Sequence, residues 1–262
     1  MKIGFLGPKG TFSHEAVSNI YGHNEEIIEC RTIKECIVNL EKKKIDRAVV
    51  PIENSLQGGV TETIDSLVES HGIFIEKEYT LKINQNLIAN SKIDLDEIQK
   101  LYSHPQAISQ CRDYIEKNLK NAEIIQVSST ALAAKEIKEK DMCACIANTS
   151  CIHEYGLTIL AANIQDIDTN QTKFLVLSNQ PNEDGKKMTI IFSTQNKPGA
   201  LYEVLGIFNR KNINMTKIES RPAKTILGEY IFIVDIEVND EIDETINELT
   251  QICKFLKVLG KY

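Results

Sequence analysis

No apolar run in this chain approaches the ~20 residues needed to cross a bilayer, and no block of like charge is sustained along it. Without such a run no membrane helix is expected. The opening residues, Met1-Lys2-Ile3-Gly4-Phe5-Leu6, turn polar too soon for a secretory leader, so a cytoplasmic location is expected. Thirty basic against 37 acidic residues give a net charge of −7. With no basic patch, neither nucleic acid nor an anionic membrane surface is expected as a partner. Any anionic ligand must therefore be drawn by local geometry rather than by the field of the whole molecule. The seven cysteines include no CxxC pair and have no His-rich companion segment. Neither a metal nor a disulfide framework is expected from them. Cys143 and Cys145, two apart in MCACIA, fall on one face of a strand and read as reduced, buried thiols. Internal repeats, low-complexity tracts and the GxxxxGK phosphate loop are also missing.

What remains is a globular pattern, and 262 residues with an apolar share of 42% suit two domains with ordinary cores. Strands are expected at 2–6, 27–29, 48–50, 100–103, 123–127 and 144–147, and helices at 14–21, 33–41, 61–70, 105–117, 130–139 and 149–154. This alternation argues an α/β fold with mainly parallel strands, whose ligands gather where strands end and helices begin. The segment SNQPNEDGKK at 178–187 holds Pro, Gly and charge but nothing apolar, and reads as a linker. Beyond it, strands at 188–193, 214–220, 229–238 and 255–259 and helices at 199–209 and 241–252 give the order βαββαβ, with a turn containing Gly228 between the middle strands.

Four segments carry chemistry. In DTNQTKF at 168–174, Thr172 brings a hydroxyl beside amides and a cation just as the chain enters the buried strand Phe174-Leu-Val-Leu. In GPKGTFSHEA at 7–16, Thr11 and Ser13 stand where a strand gives way to a helix, a ready anion site or simply a capped turn. In VVPIENSLQGG at 49–59, Asn54 and Ser55 offer neutral donors, and Gly58 and Gly59 let the backbone turn; Glu53 is either a base or, more simply, a cap for nearby N–H groups. In YSHPQAISQC at 102–111, Pro105 suits the first turn of a helix, with Gln106 after it, and His104 is either an acid, a ligand contact or a capping residue.

In this order and spacing, GPKGTFSHEA, PIENS, SHPQAISQC and NQTKF resemble the motif set of the prephenate dehydratases. PGAL at 198–201 and ESRP at 219–222 are similar to the phenylalanine-binding motifs of the ACT regulatory domain usually fused behind them. The resemblance implies a two-lobed catalytic domain over 1–178, like the type II periplasmic binding proteins, with a second lobe at about 81–160 and an ACT domain over 188–262. The cleft between the lobes would have the opening segments and NQTKF on one wall and SHPQA on the other. It implies conversion of prephenate to phenylpyruvate, water and carbon dioxide, with no cofactor or metal, because aromatisation drives the reaction. Thr172 would be the catalytic residue, donating to the departing hydroxyl. Thr11, Ser13, Asn54, Ser55, Gly58, His104, Gln106, Asn170, Lys173 and Phe174 would contact the substrate, with Lys173 or His104 supporting Thr172. L-Phenylalanine would inhibit from the ACT domain, at Gly199, Ala200, Leu201, Glu219, Ser220, Arg221 and Pro222, in a homodimer or homotetramer built through those domains. The family's usual Thr-Arg-Phe is Thr172-Lys173-Phe174 here, and a lysine offers a point charge rather than a planar fork. The chain opens directly at the dehydratase strand, so no chorismate mutase domain is expected ahead of it. Two alternatives remain: an arogenate dehydratase, and an amino-acid sensor without catalysis.

Overall fold

A computed structural model describes residues 1–22, 24–182, 184–223 and 229–262. The first lobe is built from β1 (Lys2–Leu6), α1 (Phe12–Tyr21), β2 (Glu26–Cys30), α2 (Ile33–Glu41), β3 (Arg47–Asn54), β4 (Gly58–Gly59), α3 (Thr61–Glu69) and β5 (Phe74–Lys82). The second holds β6 (Asn86–Ala89), β7 (Lys100–Ser103), α4 (Pro105–Gln110), α5 (Arg112–Asn118), β8 (Glu123–Gln126), α6 (Thr130–Ile137), β9 (Cys143–Ala147), α7 (Thr149–Tyr155) and β10 (Thr158–Ala161). The chain then returns to the first lobe as β11 (Gln171–Ser178). The last unit contains β12 (Lys187–Ser193), α8 (Ala200–Arg210), β13 (Met215–Pro222), β14 (Tyr230–Glu237), α9 (Ile242–Ile252) and β15 (Phe255–Lys261), in the expected order βαββαβ. The turn expected around Gly228 lies outside the described residues.

Three sheets result, with strand orders β2-β1-β3-β11-β5, β10-β6-β9-β7-β8 and β13-β14-β12-β15, and β4 pairs with β3. The expectation of mainly parallel strands is corrected. Among the described residues, parallel pairing is confined to β1 with β2 and β3 and to β7 with β8 and β9. The reason is the double crossing between lobes: β11 comes back from the second lobe and slots antiparallel between β3 and β5. In the second lobe β6 runs antiparallel to both β9 and β10. The single helix expected over 105–117 is two, broken at Cys111. The Gln110 carbonyl accepts the Asp166 N–H at 2.7 Å, so the returning inter-lobe segment takes an acceptor the continuous helix would have used.

Each sheet has its own buried core, but the first lobe shares its core with the last unit. Ile52, Ile64, Leu67, Ile75, Leu175 and Leu177 pack with Ile191, Ile233 and Leu259 in one cluster. The face of the third sheet that α8 and α9 leave uncovered is therefore buried against the first lobe. Cys143 and Cys145 share a cluster in the second lobe, as their spacing implies, and all seven cysteines are free thiols, six of them buried. No helix among the described residues is long and apolar enough to cross a membrane.

The loop after β1 touches the second lobe. Cys151 Sγ donates to the Gly10 carbonyl at 3.0 Å and the Tyr155 hydroxyl to that of Lys9 at 3.2 Å. Gly10 has φ +84°, and a Cβ there would meet Cys151 Sγ at 3.0 Å, so only glycine allows this approach. Nearby, one carboxylate oxygen of Glu15 is buried without a partner. Burial pushes its carboxyl from 4.5 to about 7. Between those values the folded state binds more protons than the unfolded chain, so stability falls as pH rises through the window and levels off above it. Denaturant melts of the wild type are expected to lose ~1–3 kcal/mol between about pH 4.5 and 7.5, while Glu15→Gln stays flat. Parallel slopes for the two proteins would remove Glu15 as the cause.

Candidate active site

A cleft of about 400 Å³ opens between the lobes, within the usual range for small-molecule sites. From the first lobe, Thr11 and Ser13 reach it at the start of α1, and Asn54 at the end of β3. Asn170, Thr172 and Phe174 line it from the entry of β11. From the second lobe come His104 and Gln106 at the start of α4. Ser128, Ser129 and Thr130, at the start of α6, complete that wall. Three helix starts thus face one space, each with backbone N–H groups to offer an anion. Among the described residues, His104 aside, the lining side chains are hydroxyls, amides and hydrocarbon, with no carboxylate, ammonium or guanidinium.

Asn54 organises the first wall. Its Oδ1 accepts the N–H groups of Leu56 at 3.0 Å and Gln57 at 3.1 Å, a local turn that fixes which way the amide points. Its two Nδ2 hydrogens are then shared among Asn170 Oδ1 at 2.8 Å, Thr172 Oγ1 at 3.0 Å and the Gln171 carbonyl at 3.1 Å. Thr172 Oγ1 is thus an acceptor toward Asn54, which leaves its own proton to be donated elsewhere. His104 caps α4, its Nδ1 accepting the Gln106 N–H at 3.2 Å. A neutral imidazole so held carries its proton on Nε2.

Three residues expected at the substrate stand elsewhere. Ser55 is spent on the backbone: its Oγ donates to Thr169 O at 3.3 Å and accepts the Gln171 N–H at 3.0 Å, fastening the loop after β3 to the entry of β11. Gly58 is exposed at φ +78°, opposite Asn54 in the β3–β4 pair, and outside the cleft lining. Lys173 is on the far face of the sheet, because successive residues of a strand point to opposite sides. Thr172 and Phe174 face the cleft; Lys173 faces the third sheet, 3.6 Å from Glu78. Glu53 is neither base nor cap, since its carboxylate pairs with Lys217 of β13 at 2.9 Å.

Strand β3 carries an irregularity opposite this stretch. Lys173 pairs with Glu53 but Phe174 with Pro51, so Ile52 is an extra residue, a bulge beside the site. Ile52 and Glu53 consequently share the side of the third sheet while Pro51 and Asn54 share the cleft. Pro51 has no N–H to lose at such a break.

Residues 3–182 match the family model described as prephenate dehydratase, and residues 188–254 that of the ACT domain. The chain belongs to the prephenate dehydratase family. It is 38% identical over 267 residues to the bifunctional chorismate mutase/prephenate dehydratase of Aquifex aeolicus, covering 100% of this chain and 73% of that one. It is 36% identical over 280 residues to the prephenate dehydratase of Bacillus subtilis, covering 100% and 98%. A crystal structure of prephenate dehydratase from Arthrobacter aurescens in complex with L-Phe is similar at TM-score 0.90 and 31% identity, covering 100% of this chain and 90% of that one.

The prephenate dehydratase motifs account for most of the first-lobe wall but not for all of the second. The stretch VSST at 127–130 follows a strand and opens a helix as GPKGTFS does, so the same rule finds it. Gln57, Gln85 and Gln110 also line the cleft, and nothing local in the sequence singles them out.

Proposed function

We propose that this chain is a lyase converting prephenate to phenylpyruvate, water and carbon dioxide in the inter-lobe cleft, regulated by L-phenylalanine at its ACT domain. The uncharged lining carries this reading. Prephenate is a dianion that must lose its ring carboxylate as carbon dioxide. A fixed cation against that group would stabilise the ground state it has to leave, whereas neutral donors hold it without that penalty. The side-chain carboxylate, unchanged by the reaction, suits the N–H groups and hydroxyls at the starts of α1 and α6, around Ser13, Ser129 and Thr130. The ring then lies against Phe174 and Ile83, with Thr172 donating to the departing hydroxyl. Gln106 and His104 Nε2–H are the donors of the opposite wall. No cofactor is invoked, because forming the aromatic ring supplies the driving force.

For the regulator, support comes from strand register. Ser193 pairs with Ile231, and Ile231 with Arg221, so the loop carrying Gly199, Ala200 and Leu201 and the segment Glu219 to Pro222 leave the sheet at one end. Ser220 and Pro222 are exposed on β13, an edge strand, and offer a face for a second copy in a homodimer or homotetramer. Cytoplasmic placement accompanies this reading.

The test is direct. Purified protein incubated with prephenate is expected to release phenylpyruvate, to do so more efficiently than with arogenate, and to slow when L-phenylalanine is added. Absence of turnover with either compound would overturn the assignment.

A further inference from the structure

Both members of the Asn54–Thr172 pair have an immediate chain neighbour tied to the regulatory sheet, Glu53 directly and Lys173 through Glu78 of β5. Glu53, next to Asn54, meets Lys217 of β13 at 2.9 Å, and Lys217 also lies 3.5 Å from Glu219. A Cβ on Gly59, the register partner of Glu53 in β4, would stand 2.7 Å from the Glu219 carboxylate, so the glycine is what admits that side chain. Lys173, next to Thr172, meets Glu78 at 3.6 Å; Glu78 is shared with Lys187 at 2.5 Å, which reaches Asp235 at 2.8 Å. Burial alone would pull Lys187 down, but its bonds to Asp235 and Glu78 outweigh that and raise it above the ordinary lysine value. Asp235 in turn accepts from Thr189, whose hydroxyl bonds that of Tyr262, both at 2.6 Å. These pairs surround a gap of only about 20 Å³, roughly one water, between the two domains. They are partly buried and networked, unlike isolated surface pairs.

We infer that Glu53 and Lys173 are positioning residues through which the regulatory domain sets the Asn54–Thr172 hydrogen bond from behind. The argument is geometric. Strand neighbours share a peptide unit, so a displacement of the Glu53 or Lys173 backbone reorients Asn54 or Thr172 with it. The two ionic ties end on β12, β13 and β14: β13 carries the proposed segment 219–222, β14 pairs with it, and β12 leads into the loop at 199–201. A change in the regulatory sheet thus reaches Asn54 through one ion pair and one peptide, and Thr172 through two ion pairs and one peptide. Glu219, expected at the effector, is a member of this tie in the single chain.

The inference rests on the assignment of prephenate turnover to this cleft, and the two are tested separately. Wild-type turnover of prephenate and its inhibition by L-phenylalanine test the assignment. For the tie, steady-state kinetics and inhibition curves are measured on Lys217→Gln, Glu53→Gln, Lys217→Arg and the reversed pair Glu53→Lys with Lys217→Glu, alongside thermal melts. Lys217→Gln and Glu53→Gln are expected to lower kcat about tenfold with KM within about twofold, and to raise the half-inhibitory L-phenylalanine concentration about tenfold. Lys217→Arg, and in part the reversed pair, are expected to recover both. If the wild type is active and inhibited while Glu53→Gln matches it in kcat and in inhibition, the inference is overturned. A lowered melting temperature in that variant with both parameters unchanged overturns it equally, because a merely structural pair would behave so.

Discussion

Thr172→Ala is expected to lower kcat by ~10²–10⁴ while KM stays within about threefold. The hydroxyl accepts from Asn54 at 3.0 Å and is thereby polarised and aimed, with its proton directed away from the amide. A threonine is far too weak an acid to surrender that proton unaided, so its contribution is a hydrogen bond that strengthens as charge builds on the departing oxygen. Such a contact is worth most in the transition state and little in the bound ground state, hence the split between kcat and KM. Thr172→Val keeps the branched shape that packs beside Phe174 and is expected to match alanine; Thr172→Ser restores the donor and is expected to recover most of the loss. Near-normal turnover in the valine variant would take the hydroxyl out of the reaction.

Asn54→Asp is expected to cost ~10²–10³ in kcat and also to raise KM. The change is nearly isosteric, but an ionised aspartate has nothing to donate. It would accept the Thr172 proton and turn the hydroxyl's oxygen toward the substrate, reversing the polarity of the pair. It would also set a negative charge into a cleft whose lining, His104 aside, has none, against a dianionic substrate. Below the ordinary aspartate range, about pH 4, the protonated carboxyl is again a donor, so the relative loss should shrink as pH falls. A pH-independent loss equal to that of Asn54→Ala would show that Asn54 acts through packing alone.

Much of this arrangement is legible from local rules. A strand giving way to a polar turn and a capped helix marks Thr11, Ser13, His104 and Gln106 without any tertiary knowledge, and all four face the cleft. The regulatory unit announces itself through the 178–187 linker and clean periodicities. What local rules miss is the side a residue faces when both sides of a strand are buried. On a strand with one face in water, alternation of polar and apolar residues gives the answer; β11 is covered by α1 on one face and the regulatory sheet on the other, so Thr172 and Lys173 look alike. Local rules accordingly place Lys173 beside Thr172 in the cleft, whereas it reaches Glu78 on the opposite side. Ser55 misleads for another reason: a hydroxyl in a loop satisfies backbone as readily as ligand, and only the contact partners distinguish the two. Strand β5, with Glu76, Lys77, Glu78 and Thr80 in its middle, reads as polar until its neighbours supply their partners.

The irregularity at Ile52 separates two requirements that a plain strand would bind together. Because that residue is additional, a chain shortened by it alone would still set Asn54 across from Thr172, since Glu53 would simply follow Pro51 in ordinary alternation. It would lose one aliphatic group from the seam where catalytic and regulatory halves meet. One deletion could thus thin the connection between the halves and leave the reacting pair in register, a route by which control and chemistry can diverge independently in descendants of this chain.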